Sequence, residues 1–228
     1  MKNIIARGGI EFLAVLLGIT LSLWIDKTSK QSELNHQIIN SLSALSVELE
    51  VKISDLERQS ERFKKSIEII EKTLTHENLN KLDNEELDKI FDSVINHIMD
   101  DYKHSVYNSI EVSGLIYSIQ NIDLRNKILR LYSERFSILG DAINYNLDVI
   151  KKLDDIVNRD FEFRNEFSNL PKLNWSNPVN LLQFKNNIEF RNSILTSRVI
   201  KKWVLREIEK TKEEAELVQN EIKRYINN

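Results

Sequence analysis

An apolar stretch from Ile10 to Ile25 opens the chain, interrupted by one carboxylate, Glu11. Behind the pair Gly8 and Gly9 it reads IEFLAVLLGITLSLWI. About 18 residues at 1.5 Å each span ~27 Å, close to the hydrocarbon thickness of a bilayer. Trp24 stands at the far end, where an amphipathic ring suits the headgroup layer. The pattern predicts a tail over 1–7, a transmembrane anchor over 8–26 and a helical-bundle domain over 27–228. A cleaved signal peptide is the rival reading. Leu23, Trp24 and Ile25 are all bulky and leave no small-x-small cleavage site, so a retained signal anchor is favoured.

Helical periodicity continues beyond the anchor. Apolar positions recur at Leu34, Ile38, Leu42, Leu45, Leu49, Ile53, Leu56, Phe63, Ile67, Ile70 and Leu74. Up to Leu56 they repeat at eleven residues, which gives a nearly straight stripe; from Leu56 they repeat at seven, which supercoils left-handed. One long stalk helix over 27–76 is predicted. Its stripe serves either a parallel oligomer or, as preferred here, the chain's own later helices. Further helices are predicted near 84–101, 105–119, 123–167, 179–185 and 187–226. Asp83 with Glu86 resembles a capping box, Gly114 is a break, and Asp123 is read as a cap. The last helix shows Ile188, Leu195, Val199, Ile208, Val218 and Ile222 as its apolar stripe. Both prolines fall in the loop SNLPKLNWSNP. The fold class expected is all-α: the N-terminal helix runs into an elongated antiparallel bundle built on the first, fourth and last long helices.

Composition narrows the picture. Five Gly and two Pro disfavour a sheet with many tight turns. With a net charge of -3 and both signs interleaved, no basic face supports a nucleic-acid partner. Zero Cys excludes disulfides, thiolate–zinc sites and thiol catalysis. Lys2, Arg7 and the amino terminus precede the span, and Lys27 and Lys30 follow it. The positive-inside rule leans toward an inside N-terminus, which puts the bundle in the periplasm of a bacterial inner membrane; a cytoplasmic bundle stays open.

On a helical wheel Glu11, Gly18 and Ser22 gather on one stripe, with Ala14 to its side. Small residues let helices approach closely in lipid, so this stripe reads as a homo-oligomer seam or ion path; alternatively Glu11 snorkels to the headgroups. His97, Asp101 and His104 share a face if their helix is continuous and form the one metal candidate. The bland reading is a solvated helix end, and no metal or other cofactor is assigned. Phe161, Phe163, Phe167 and Trp175 cluster around the proline loop, as a hydrophobic cap on the bundle or as a partner-docking patch. No nucleophile–base pair, phosphate loop or zincin motif occurs, and an enzyme is not expected.

Two segments resemble a widespread family of bacterial single-pass membrane proteins with a domain of unknown function, common in Bacteroidetes. The family's N-terminal signature, Gly-x-Glu followed by an apolar run, is matched by GIEFLAVLLGITLSLWID, with Glu11 and Gly18 on the signature positions. A second signature is matched by SIEVSGLIYSIQNIDLRNKIL, which places Ser113, Gly114, Asn121, Leu124 and Arg125 on it. The chain departs from the family in opening with few basic residues. The resemblance implies the anchor and the helical domain, implies no activity, and marks Glu11 and the Ser113–Gly114 turn as more than incidental.

Three functions compete. The favoured one is a membrane-anchored bundle that self-associates and serves as a structural, partner-binding or sensing module, with lipid, further copies and a protein partner around it. The alternative is a small homo-oligomeric channel with Glu11 facing the axis. The third is a ligand sensor that signals through the stalk.

Overall fold

The computed structural model describes the backbone of residues 2–75, 82–95, 104–163 and 172–227. Side chains are described over the same stretches from Val15 onward, apart from Leu74 and Thr75. Among these residues every regular element is helical: α1 (Lys2–Thr75), α2 (Asn84–Ile95), α3 (Ser105–Val112), α4 (Ile122–Arg130), α5 (Phe136–Asp160), α6 (Pro178–Asn186) and α7 (Ile188–Asn227). A 3-10 turn at Leu115–Ser118 leads into α4, and a π turn at Leu131–Arg135 joins α4 to α5.

α1 runs as one helix because no Gly or Pro interrupts it after Gly18. The eleven-residue repeat expected between Leu34 and Leu56 is corrected by its burial. Buried positions step by four and three through Ile38, Leu42, Leu45, Leu49, Lys52, Leu56, Gln59, Phe63, Ser66, Ile70 and Thr73. That is a heptad seam, which keeps facing its neighbour in a left-handed bundle. The apolar-only reading passed over buried Lys52 and used Ile53, which is only half-buried.

α7 repeats the same steps through Phe190, Ile194, Ser197, Lys201, Val204, Ile208, Thr211, Ala215, Val218 and Ile222. The expected stripe through Ile188, Leu195 and Val199 is overturned, for all three are exposed. Ser197 and Lys201 hold the core positions that an apolar count assigns elsewhere.

α7 lies against both α1 and α5 and runs antiparallel to each. Along α1 the partners descend: Gln219 Nε2 donates to the Ser46 carbonyl at 3.0 Å, Lys212 pairs with Glu57 at 3.2 Å and Lys64 with Glu209 at 3.0 Å. Along α4 and α5 they descend too: Lys127–Glu221 at 2.7 Å, Arg135–Glu207 at 3.2 Å and Arg159–Glu189 at 2.8 Å. The antiparallel bundle on three long helices is as expected, with α1 and α4–α5 parallel to each other.

The core has two parts. One joins the α1 seam up to Phe63 with α3, α4, the start of α5 and the end of α7. The other joins Ile70, α2, the end of α5, Trp175, Phe184 and the start of α7. Between them each long helix places polar residues: Ser66, Asn146, and Ser197 with Lys201.

Local signals set the joints. The Asp83 N–H donates to Glu86 at 3.0 Å while the Glu86 N–H donates to Asp83 Oδ1 at 2.8 Å, the reciprocal capping box. Pro178 opens α6 behind its cap Asn177. The cap of α4 is Asn121, not Asp123: Asn121 Oδ1 accepts from the Leu124 N–H at 3.0 Å, and Asp123 sits in the first turn. The helix expected to reach 167 ends at Asp160, where Phe161 is extended and Phe163 bridges to Leu173.

Candidate functional site

The N-terminal part of α1 projects from the bundle. From Val15 to Glu33 every side chain is exposed, and the α1 core contacts begin with half-buried Leu34 and buried Ile38. The exposed run is apolar, with Leu23 65% and Trp24 66% accessible, unlike the charged surfaces typical of a free helix. Of the expected seam, Gly18 and Ser22 lie on this free stretch; a Cβ at Gly18 meets nothing within 4 Å. The side chains of Glu11 and Ala14 lie outside the described residues. Among the described residues no helix is long and apolar enough to cross a membrane, and the described side chains start inside the apolar run, at Val15.

The aromatic cluster resolves toward the cap. Phe161 and Trp175 are buried in the second core and present no docking patch. Phe161 packs on Phe190 with centroids 4.9 Å apart; Trp175 meets Phe91 and Phe184 edge-on and donates through Nε1 to Asp88 at 2.7 Å. Phe163 is half-buried against the same core, and Phe167 lies outside the described residues.

His104 also turns inward. Its ring sits 5.0 Å from Tyr132 and 4.8 Å from Phe136, and burial, reinforced by Lys52, lowers its pKa to about 4. His97 and Asp101 lie outside the described residues, and among those described no three His, Asp or Glu gather as a metal set.

The second resemblance segment forms one turn. Ser113 Oγ donates to the Ile110 carbonyl at 3.0 Å, ending α3. Gly114 takes φ 76°, a left-handed conformation that side chains disfavour. Asn121 caps α4, Leu124 is buried, and Arg125 Nη1 donates to the Tyr117 carbonyl at 3.2 Å. These five residues build the α3–α4 joint.

Three inward-facing polar groupings escaped the sequence reading. Glu48 on α1 accepts from the Val106 N–H at 2.8 Å and from the Tyr132 hydroxyl at 2.9 Å, tying α1 to the start of α3 and to the π turn. Tyr107 stacks flat on Tyr132 at 4.1 Å, and burial pushes the hydroxyl pKa of both upward, Tyr107 to about 12. Arg135 sits between Glu207 at 3.2 Å and Glu214 at 3.3 Å, the latter contact an ion pair with poor hydrogen-bond geometry. Lys201 is wholly buried, its ammonium 5.2 Å from the Phe63 ring centroid, and burial lowers its pKa to about 7. Extending the heptad through polar residues of α7 is the signal that finds Lys201; Glu48 and Arg135 carry no such signal, because their partners lie far away in sequence.

Compared with protein-family models, with curated proteins and with solved structures, the chain matches none.

Proposed function

We propose that this protein is a membrane-tethered helical bundle that associates with further copies of itself through its N-terminal helix, as a structural or partner-recruiting module. The observation that carries this reading is the exposed apolar run of α1. Val15 to Ile25 stand free of the bundle while the same helix enters the core from Leu34 onward. A continuous apolar surface on a helix that meets no partner among the described residues is favourable only against lipid or another apolar surface. Lipid accounts for its all-round character, and a seam of small residues at Gly18 and Ser22 accounts for close helix approach within lipid. The resemblance to anchored single-pass proteins points the same way. The channel reading rests on Glu11 alone, and no second observation favours it.

Two measurements test this. The full chain is expected in the membrane pellet after alkaline carbonate washing, and a chain lacking residues 2–26 in the supernatant. A full chain released by carbonate ends the tether reading. The mass of the nanodisc-embedded chain is expected to be a defined oligomer, reduced by Gly18→Leu; a monomer in both forms ends the self-association reading.

A further inference from the structure

The geometry points to a second docking surface on the bundle itself: the outer face of α1 between His36 and Ser54, which takes the same face of a second copy of this chain in parallel. The inference rests on the self-association proposed above and extends it from the anchor to the bundle.

Charge on the solvent side of α1 carries it. α7 and the other helices cover one side of α1 and leave the opposite side exposed along its length. Above Ser54 that outward side is charged at nearly every position: Glu57, Arg58, Glu61, Lys65, Glu68 and Lys72. This is the composition of a helix face that meets water. Below Ser54 the same side carries Asn40, Ser43, Ala44, Val47, Val51 and Ser54, with Glu50 as its one charge. Val47 and Val51 are 61% and 59% exposed, and with Ser54 and the carboxylates Glu50 and Asp55 they line a shallow, solvent-open depression. A face that changes from small and sparsely charged, with two exposed valines, to densely charged halfway along one helix is patterned for a partner over its first half.

The register of α1 identifies the partner. Eighteen residues are five turns of an α-helix, so residues that far apart point the same way. Asn40, the centre of the outward face at the base of the bundle, lies eighteen residues above Ser22; His36 lies eighteen above Gly18, and Ser43 eighteen above Ile25. The seam of the anchor and the sparsely charged half of the bundle's outer face therefore form one continuous ridge. Two chains anchored in one membrane hold their α1 helices parallel and at equal height. Pairing along the anchor brings these outer faces together, and the rest of each bundle points away from the contact. Two valines per copy bury little area, so the shared membrane, by raising the effective concentration, supplies most of the drive.

The absence of cysteine from the sequence makes the test direct. Single variants Ser22→Cys, Val47→Cys, Glu68→Cys and Leu217→Cys are made in the full chain, reconstituted in vesicles and oxidised with copper phenanthroline. All four positions are exposed, so folding is not at risk. Disulfides need Cβ atoms within about 4.5 Å, so only residues on the seam trap a dimer quickly. Val47→Cys is expected to cross-link at least about tenfold faster than Glu68→Cys or Leu217→Cys, given the steep distance dependence. Ser22→Cys cross-linking with Val47→Cys no faster than Leu217→Cys overturns this inference and leaves anchor pairing intact. Val47→Cys cross-linking without Ser22→Cys keeps the bundle contact and overturns the anchor seam. No cross-linking at either position overturns both.

Discussion

Lys201 shows how one residue departs from the pattern of its helix. It occupies a heptad core position between Ser197 and Val204, where an ammonium is costly. The lysine titrates near 10.5 when unperturbed and near 7 in the folded protein. Between those values the unfolded state holds one more proton than the folded state. Stability therefore rises as pH increases from about 7 toward about 10.5, by up to ~1.4 kcal/mol per pH unit, and the full penalty is present below 7. Lys201→Met, an apolar side chain of similar length, is expected to flatten that rise in urea midpoints taken at neutral and alkaline pH beside wild type. Parallel curves would mean that Lys201 stays charged in the fold, held by the Phe63 ring. A count of apolar residues leaves Lys201 off the core stripe of α7; the heptad steps put it on that stripe, and the antiparallel packing of α1 and α5 on α7 buries it.

At the scale of elements, glycines separate a joint from a span. Gly114 has φ 76°, and a Cβ added there would meet no atom within 4 Å, so Gly114→Ala is penalised through the backbone alone. A cost of about 1 kcal/mol is expected. Gly140 lies inside α5, also with open space around it, and Gly140→Ala is expected to add about 0.5–1 kcal/mol. Thermal melts of the two variants should move in opposite directions; a shift of the same sign would refute the assignment of Gly114 to a left-handed joint. The Gly114 break and the capping box at Asp83 were legible because both depend on residues close in sequence. The π turn was written in the eight-residue step from Leu131 to Leu139, one more than a heptad, but an extra residue there fits a loop or a kink as well as a π turn. The helix end at Asp160 was missed because the aromatic residues beyond it continue an apolar pattern, and it is the burial of Phe161 in the second core that draws the chain out of the helix.

At the scale of the whole molecule, the free stretch of α1 and the bundle are energetically separate. Among the described residues no core contact precedes Leu34, so a chain lacking residues 2–30 is expected to melt within about 0.5 kcal/mol of the full bundle. Removing residues 219–228 takes away fully buried Ile222 and the Gln219 bond to α1, and should cost about 3 kcal/mol or more. Circular dichroism melts of the two truncations check this, and a large loss from the first would show that the free stretch packs on the bundle. The sequence by itself determined the all-helical class, the long uninterrupted α1, the apolar N-terminal run and the joints at Asp83, Gly114 and Pro178. These follow from periodicity, from the scarcity of Gly and Pro, and from caps that act within a few residues. Only the tertiary structure decided that Glu48 turns onto Tyr132 and Arg135 onto Glu207, that Phe161 and Trp175 close one end, and which side of α1 is left for a partner. Each of those depends on what a distant segment brings to the same place, and spacing along one helix holds no record of its neighbours.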